Sequence, residues 1–110
     1  METQTVTEVA SLGDDSLEEV VAENAVVLAE FAAEWCGSCR RMAPTLDALA
    51  ATTDAVVVTV DVETNLEAAI EHGAQSAPTF VLFVEGRPVK RLRGGQTEQT
   101  LRDLIAQYRD

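Results

Sequence analysis

The chain has 110 residues, 46% of them hydrophobic, and 19 acidic against 8 basic side chains give it a net charge of −11. That length suits one domain with its own core, built mainly of Ala, Val and Leu because aromatics are only 5%. The acidity makes nucleic acid and anionic membranes poor partners, and no apolar run reaches the roughly 20 residues of a membrane helix.

The N-terminus, METQTVTEVASLGDD, has no basic start and no apolar stretch of the kind a signal peptide needs. A cytoplasmic location is therefore expected. Residues 1–7 are polar and are expected to fray, and a short edge strand is expected around residues 8–10. Ser16-Leu17-Glu18-Glu19 has the S-x-x-E pattern of a capping box. It predicts a helix running to about Glu23, with Leu17, Val20 and Val21 as its apolar stripe. Residues 25–31 (AVVLAEF) form a nearly continuous apolar run, which reads as a buried central strand.

Next comes Glu34-Trp35-Cys36-Gly37-Ser38-Cys39-Arg40, then a helix expected from Cys36 to about Ala51. Met42, Leu46, Leu49 and Ala50 recur there at helical spacing. Pro44 falls inside that helix and is expected to kink it, since it lacks an N–H and crowds the preceding turn. Residues 56–62 (VVVTVDV) read as the next buried strand. Two such strands joined by a helix imply a parallel, right-handed βαβ unit. Thr64-Asn65-Leu66-Glu67 reads as a second capping box, opening a short helix to about His72. Residues 79–85 (TFVLFVE) are a third strand, Glu85-Gly86-Arg87-Pro88 a turn, and residues 89–93 an antiparallel return. Leu101, Leu104, Ile105 and Tyr108 mark a last amphipathic helix. The expected fold is α/β, a mixed sheet of about five strands flanked by four helices.

Both cysteines fall at the turn from the first buried strand into a helix. At i and i+3 their Cβ atoms lie about 5–6 Å apart, and a disulfide needs Cα atoms about 4.4–6.8 Å apart. The pair can close with little backbone movement. Cys36 sits where unpaired N–H groups and the helix dipole favour a thiolate. Cys39, a turn deeper among Met42, Ala43 and Leu46, is expected to be the quieter thiol. That asymmetry suits a nucleophile, Cys36, and a resolver, Cys39. Two other readings stand beside it. Free cysteines are often inert core residues. Tetrahedral zinc wants four ligands, and two cysteines, the distant His72 and carboxylates make a poor structural set within one chain; a metal or iron–sulfur centre bridging two chains would supply four thiolates and stays open. His72 is expected at a helix end on the surface, and Arg40 and Arg41 as exposed helix cations.

The chain resembles the thioredoxin family over nearly all its length. The resemblance is carried by EFAAEWCGSC, Pro44, the strand end VDVETN, Ala77-Pro78-Thr79 before TFVLFVEG, and Gly94 before the last helix. It implies a thioredoxin fold over residues 1–110 as one domain, and reduction of protein disulfides by dithiol exchange. No cofactor is implied beyond a redox-active Cys36–Cys39 disulfide. The implied partners are a thioredoxin reductase, fed by NADPH or ferredoxin, and disulfide-containing proteins, met by a monomer. Trp35, Gly37, Ser38, Ala77, Pro78 and Gly94 would contact substrate. Trp35 would shield the site and present a flat apolar face, unless it is a core residue. Pro78 would be a cis-proline holding the Ala77 backbone beside the thiols, where an extended substrate segment can pair. Gly94 would allow close approach, unless it simply ends a strand.

Three departures from the family pattern matter. Ser38 stands where Pro is usual, which frees the helix start and adds a hydroxyl able to donate to the thiolate. Both effects predict a more oxidising couple, in the direction of a thiol oxidase or isomerase. Glu30 stands where the family has a buried aspartate. It shares a strand face with Val26 and Leu28, so burial should raise its pKa and let it accept the Cys39 proton, unless it turns to solvent. Thr59 stands where many members have lysine, which would raise the Glu30 pKa further, and Ala32 replaces a common aromatic and loosens the packing beneath the site. The acid excess, with Lys90 the only lysine, also suggests adaptation to a high-salt cytoplasm; a merely soluble acidic surface is the plainer alternative.

Overall fold

A computed structural model describes residues 7–8 and 14–108. Its elements run β1 (Thr7–Glu8), α1 (Asp14–Glu23), β2 (Val26–Ala32), α2 (Gly37–Arg41), α3 (Ala43–Thr52), β3 (Val56–Asp61), α4 (Leu66–Glu71), β4 (Thr79–Val84), β5 (Arg87–Arg93) and α5 (Glu98–Gln107). The expected edge strand is present as Thr7–Glu8, paired with Val58 and Thr59, so Thr7 is ordered in the sheet rather than frayed. The expectations for residues 1–6 and for Val9 and Ala10 lie outside the described residues.

The sheet order is β1-β3-β2-β4-β5. β1 and β2 run parallel to β3, while β4 is antiparallel to both β2 and β5. The apolar run of β2 makes it the central strand, and alternation divides it between two cores. Val27, Ala29 and Phe31 face one cluster with Val58, Val60, Val81 and Phe83, covered by α1 and α4. Leu28 faces the other, with Phe80, Leu82 and Leu46, covered by α3 and α5. Burying both faces of the sheet is the main stabilising term, at about 1.5–3 kcal/mol per fully buried large apolar side chain.

Several local expectations are corrected. The helix predicted over residues 36–51 is two helices, α2 and α3, meeting at Met42. Pro44 lies in the first turn of α3, where a missing N–H costs nothing, rather than kinking a helix interior. The two helix starts differ from those the boxes predicted. α1 begins at Asp14, which places Ser16 inside it, and aspartates favour a helix start through the dipole. α4 is capped by Asn65, not Thr64, and without a side-chain cap bond. Asn65 is fully buried and donates instead to Asp61 O at 3.1 Å, bracing the turn after β3. The β4–β5 connection is also tighter than predicted. Glu85 and Gly86 alone make the turn, with φ of 51° and 81°. Arg87 and Pro88 already belong to β5, an edge strand whose register shifts beside Leu82 and Phe83, the setting in which a sheet tolerates proline.

Candidate active site

The parallel strands β2 and β3 point their carboxyl ends at the same edge of the sheet, the usual place for chemistry in an open α/β sheet. There the chain leaves β2 through Ala33-Glu34-Trp35 and enters α2. Cys36 is the N-cap of α2 and is joined to Cys39 in a disulfide, with Cα atoms 5.3 Å apart. The Cys39 N–H donates to Cys36 Sγ at 3.1 Å, and Ser38 Oγ lies 3.8 Å from the same sulfur. Gly37 is the first residue of α2.

Depth does not separate the two sulfurs as expected. Cys36 is 4% and Cys39 7% exposed. Hydrogen bonding does separate them: only Cys36 Sγ receives a backbone N–H, in the position where a thiolate would accept it. The cysteines pack with Ala33, and Ala32, Val62 and Ala77 close around them. Trp35 is 66% exposed, so it is no core residue.

The Ala77–Pro78 peptide bond is cis. Gly94, at φ +86°, donates its N–H to Pro78 O at 2.8 Å, which ties the end of β5 to the proline loop. A Cβ on Gly94 would meet nothing within 4 Å, so that side of the backbone is open.

Glu30 is 2% exposed on β2, on the face it shares with Leu28 and Val26. Burial pushes its carboxyl up from 4.5 to about 7. Its Oε2 has no hydrogen-bond partner among the described residues. Glu30 and Cys39 line one open cavity of about 450 Å³, together with Thr59. A buried carboxyl that shares a cavity with a cysteine has the chemistry to exchange a proton with its thiol through water.

The remaining candidates sit elsewhere. His72 caps α4 half-buried, its ring 5.0 Å edge-on from Phe83 and 6.0 Å from Phe31. Arg40 and Arg41 are exposed, and Arg40 Nη1 donates to Glu34 O. No group of three or more His, Cys, Asp or Glu side chains gathers to hold a metal among the described residues. Sequence reasoning missed the cavity itself, and with it Asp47 and Asp61 on its lining. The available signal was the run of alanines at 32, 33 and 43, small residues where the wall of a site would otherwise be filled.

Known proteins resemble this chain in sequence and in fold. A thioredoxin family model matches residues 8–107. The chain is similar to a thioredoxin of Mycobacterium tuberculosis, 41% identical over 85 residues, which is 76% of this chain and 73% of that one. It is also similar to a bifunctional thioredoxin reductase/thioredoxin of Mycobacterium leprae, 42% identical over 89 residues, which is 78% of this chain and 19% of that protein. Among solved structures, a mutant thioredoxin of Halobacterium salinarum NRC-1 superposes with a TM-score of 0.90 at 38% identity, covering 98% of this chain and 94% of that one.

Proposed function

This chain belongs to the thioredoxin family and is a thiol–disulfide oxidoreductase that reduces protein disulfides; from that premise we propose that Cys36 is its nucleophile, Cys39 its resolving thiol and Glu30 the proton acceptor. The observation that carries the assignment is the helix-capping position of Cys36, whose sulfur receives the Cys39 N–H. In the reduced protein that N–H, with the start of α2, favours the Cys36 thiolate. The thiolate attacks one sulfur of a substrate disulfide. The substrate S–S bond breaks, and the departing thiolate takes a proton. Cys39 then gives its proton to Glu30, and its thiolate attacks Cys36 Sγ. The mixed disulfide breaks, the second substrate sulfur leaves as a thiolate and takes a proton from water, and the Cys36–Cys39 disulfide remains. Two electrons have passed from the cysteine pair to the substrate.

Trp35 supplies an exposed apolar face for the partner, and Ala77 backbone beside Pro78 offers an edge for an extended segment. Gly37, Ser38 and Gly94 complete the contact surface. The electron donor that restores the dithiol is a thioredoxin reductase; the Mycobacterium leprae relative, which carries both functions in one chain, supports that pairing. No helix among the described residues is long and apolar enough to cross a membrane. We place the protein in the cytoplasm as a monomer of one domain. The assignment is tested by trapping. Cys39→Ser should accumulate a mixed disulfide with insulin, and Cys36→Ser should form none. The opposite pattern would reverse the two roles.

A further inference from the structure

The cavity beside Cys39 is larger than a proton transfer requires. Its volume, about 450 Å³, lies in the range of sites that bind small ligands. It is open because small side chains, Ala32, Ala33 and Ala43, form part of its wall, with Leu46 adding an apolar floor. Its polar lining is one-sided. Its acidic residues are Glu30, Glu34, Asp47 and Asp61, against one basic residue, Arg40. Arg40 is turned to the carbonyl of Glu34. Asp61 is held in place by the Glu63 N–H, which donates to its Oδ1 at 2.8 Å. Glu30 is on the same lining, and its Oε2 is buried and without a partner among the described residues.

We propose that this cavity is a substrate subsite that takes a lysine or arginine side chain lying next to the disulfide being reduced. A long basic side chain fits its two halves: an aliphatic stem against alanine and leucine, and a cationic head among carboxyls. A chelated metal ion does not fit, since no three ligating side chains converge among the described residues. The position suits a substrate residue because Cys39 and Glu34 belong to the lining, which puts the cavity beside the resolving cysteine, itself bonded to Cys36. The net charge of −11 draws basic partners toward the whole molecule, and the cavity gives that attraction a specific seat. The proposal rests on the disulfide-reductase reading and names its substrate class.

The test uses three disulfide peptides that differ only beside the attacked cysteine: lysine, norleucine with a similar stem and no charge, and glutamate. Second-order rates of reduction by the dithiol protein are measured at low ionic strength. The lysine peptide should react about tenfold faster than the norleucine peptide, the worth of one charge-assisted contact in a partly open site. Asp47→Asn combined with Asp61→Asn should bring that ratio to about twofold or less. Glu18→Gln with Glu19→Gln, on exposed positions of α1, should leave it intact. Equal rates for lysine and norleucine would overturn the subsite while leaving disulfide reduction standing. So would a preference that survives the Asp47/Asp61 change, or one that falls equally with the α1 changes, since that would be bulk attraction. Failure to reduce any of the peptides, or insulin, would overturn the reductase reading together with the subsite.

Discussion

Glu30 and Thr59 are register partners on adjacent parallel strands. The buried carboxyl therefore has a hydroxyl-bearing neighbour beside it, and both line the cavity behind Cys39. Desolvation by burial raises the Glu30 pKa to about 7. The consequence for stability has a definite sign. Between pH 4.5 and about 7 the folded chain keeps the Glu30 proton and the unfolded chain loses it. Fewer protons bound in the unfolded state mean stability that falls as pH rises. The loss is complete above the folded pKa and amounts to about 3 kcal/mol. Glu30→Gln should remove that slope, so its advantage over the parent should grow from pH 5 to pH 8. Urea unfolding of the oxidised proteins at both pH values checks this; parallel behaviour would mean that Glu30 does not hold its proton on folding. The same variant should slow turnover between pH 6 and 9, and unchanged turnover there would remove Glu30 from the proton transfer.

Restoring a cation beside the carboxyl should reverse the effect. Thr59 is half-buried at the cavity wall, so a longer side chain has space. Thr59→Lys should lower the Glu30 pKa by about 1–3 units through a nearby opposite charge. Carbon-13 NMR titration of the Glu30 carboxyl reads this directly. An unmoved pKa would show that the lysine head reaches solvent instead of the carboxyl.

Trp35 is predicted to matter for partners and not for folding. Being 66% exposed, it should cost no more than about 0.5 kcal/mol of stability when changed to alanine. Insulin reduction should fall about tenfold in kcat/KM, mostly through KM, as befits lost uniform binding to an aromatic anchor. A destabilisation near the 3–5 kcal/mol of a buried aromatic would contradict the exposed placement.

Ser38 Oγ lies 3.8 Å from Cys36 Sγ, within reach of a bond that would stabilise a thiolate there. The equilibrium potential should therefore be less negative than about −270 mV, and Ser38→Pro should lower it by about 30 mV, the equivalent of ~1.4 kcal/mol. Equilibration with a glutathione or dithiol buffer measures both. A parent value at or below −270 mV would refute the role given to the serine.

The charge balance yields a further expectation. With 19 acidic and 8 basic side chains, mutual repulsion should be relieved by screening. The melting temperature should rise from low to multimolar KCl. Equal or lower stability at high salt would leave the acidity as a matter of solubility alone.

What could be read from the chain itself was whatever depends on local pattern. The apolar runs in β2, β3 and β4 disclosed the sheet because strands buried on both faces need nearly continuous hydrophobic residues. The Cys36–Cys39 spacing disclosed that a disulfide could close, because one helical turn brings the sulfurs into bonding range. Even the burial of Glu30 followed from alternation on a central strand. Helix ends were read less well. Asn65 takes the N-cap position of α4 but spends its side chain on Asp61 in the preceding turn, because side-chain bonds compete and the folded context chooses among them, and α1 starts before its apparent box.

Only the tertiary structure decided which residues from distant segments share a space. It brought Gly94 to Pro78, closed Val62 and Ala77 around the cysteines, and left Trp35 in the open. It also set Asp47, Thr59 and Asp61 around one cavity with Cys39 and Glu30. A cavity is the space that side chains from several segments leave unfilled. Its size and charge depend on how helices and strands settle against each other, and no local run of residues encodes that sum.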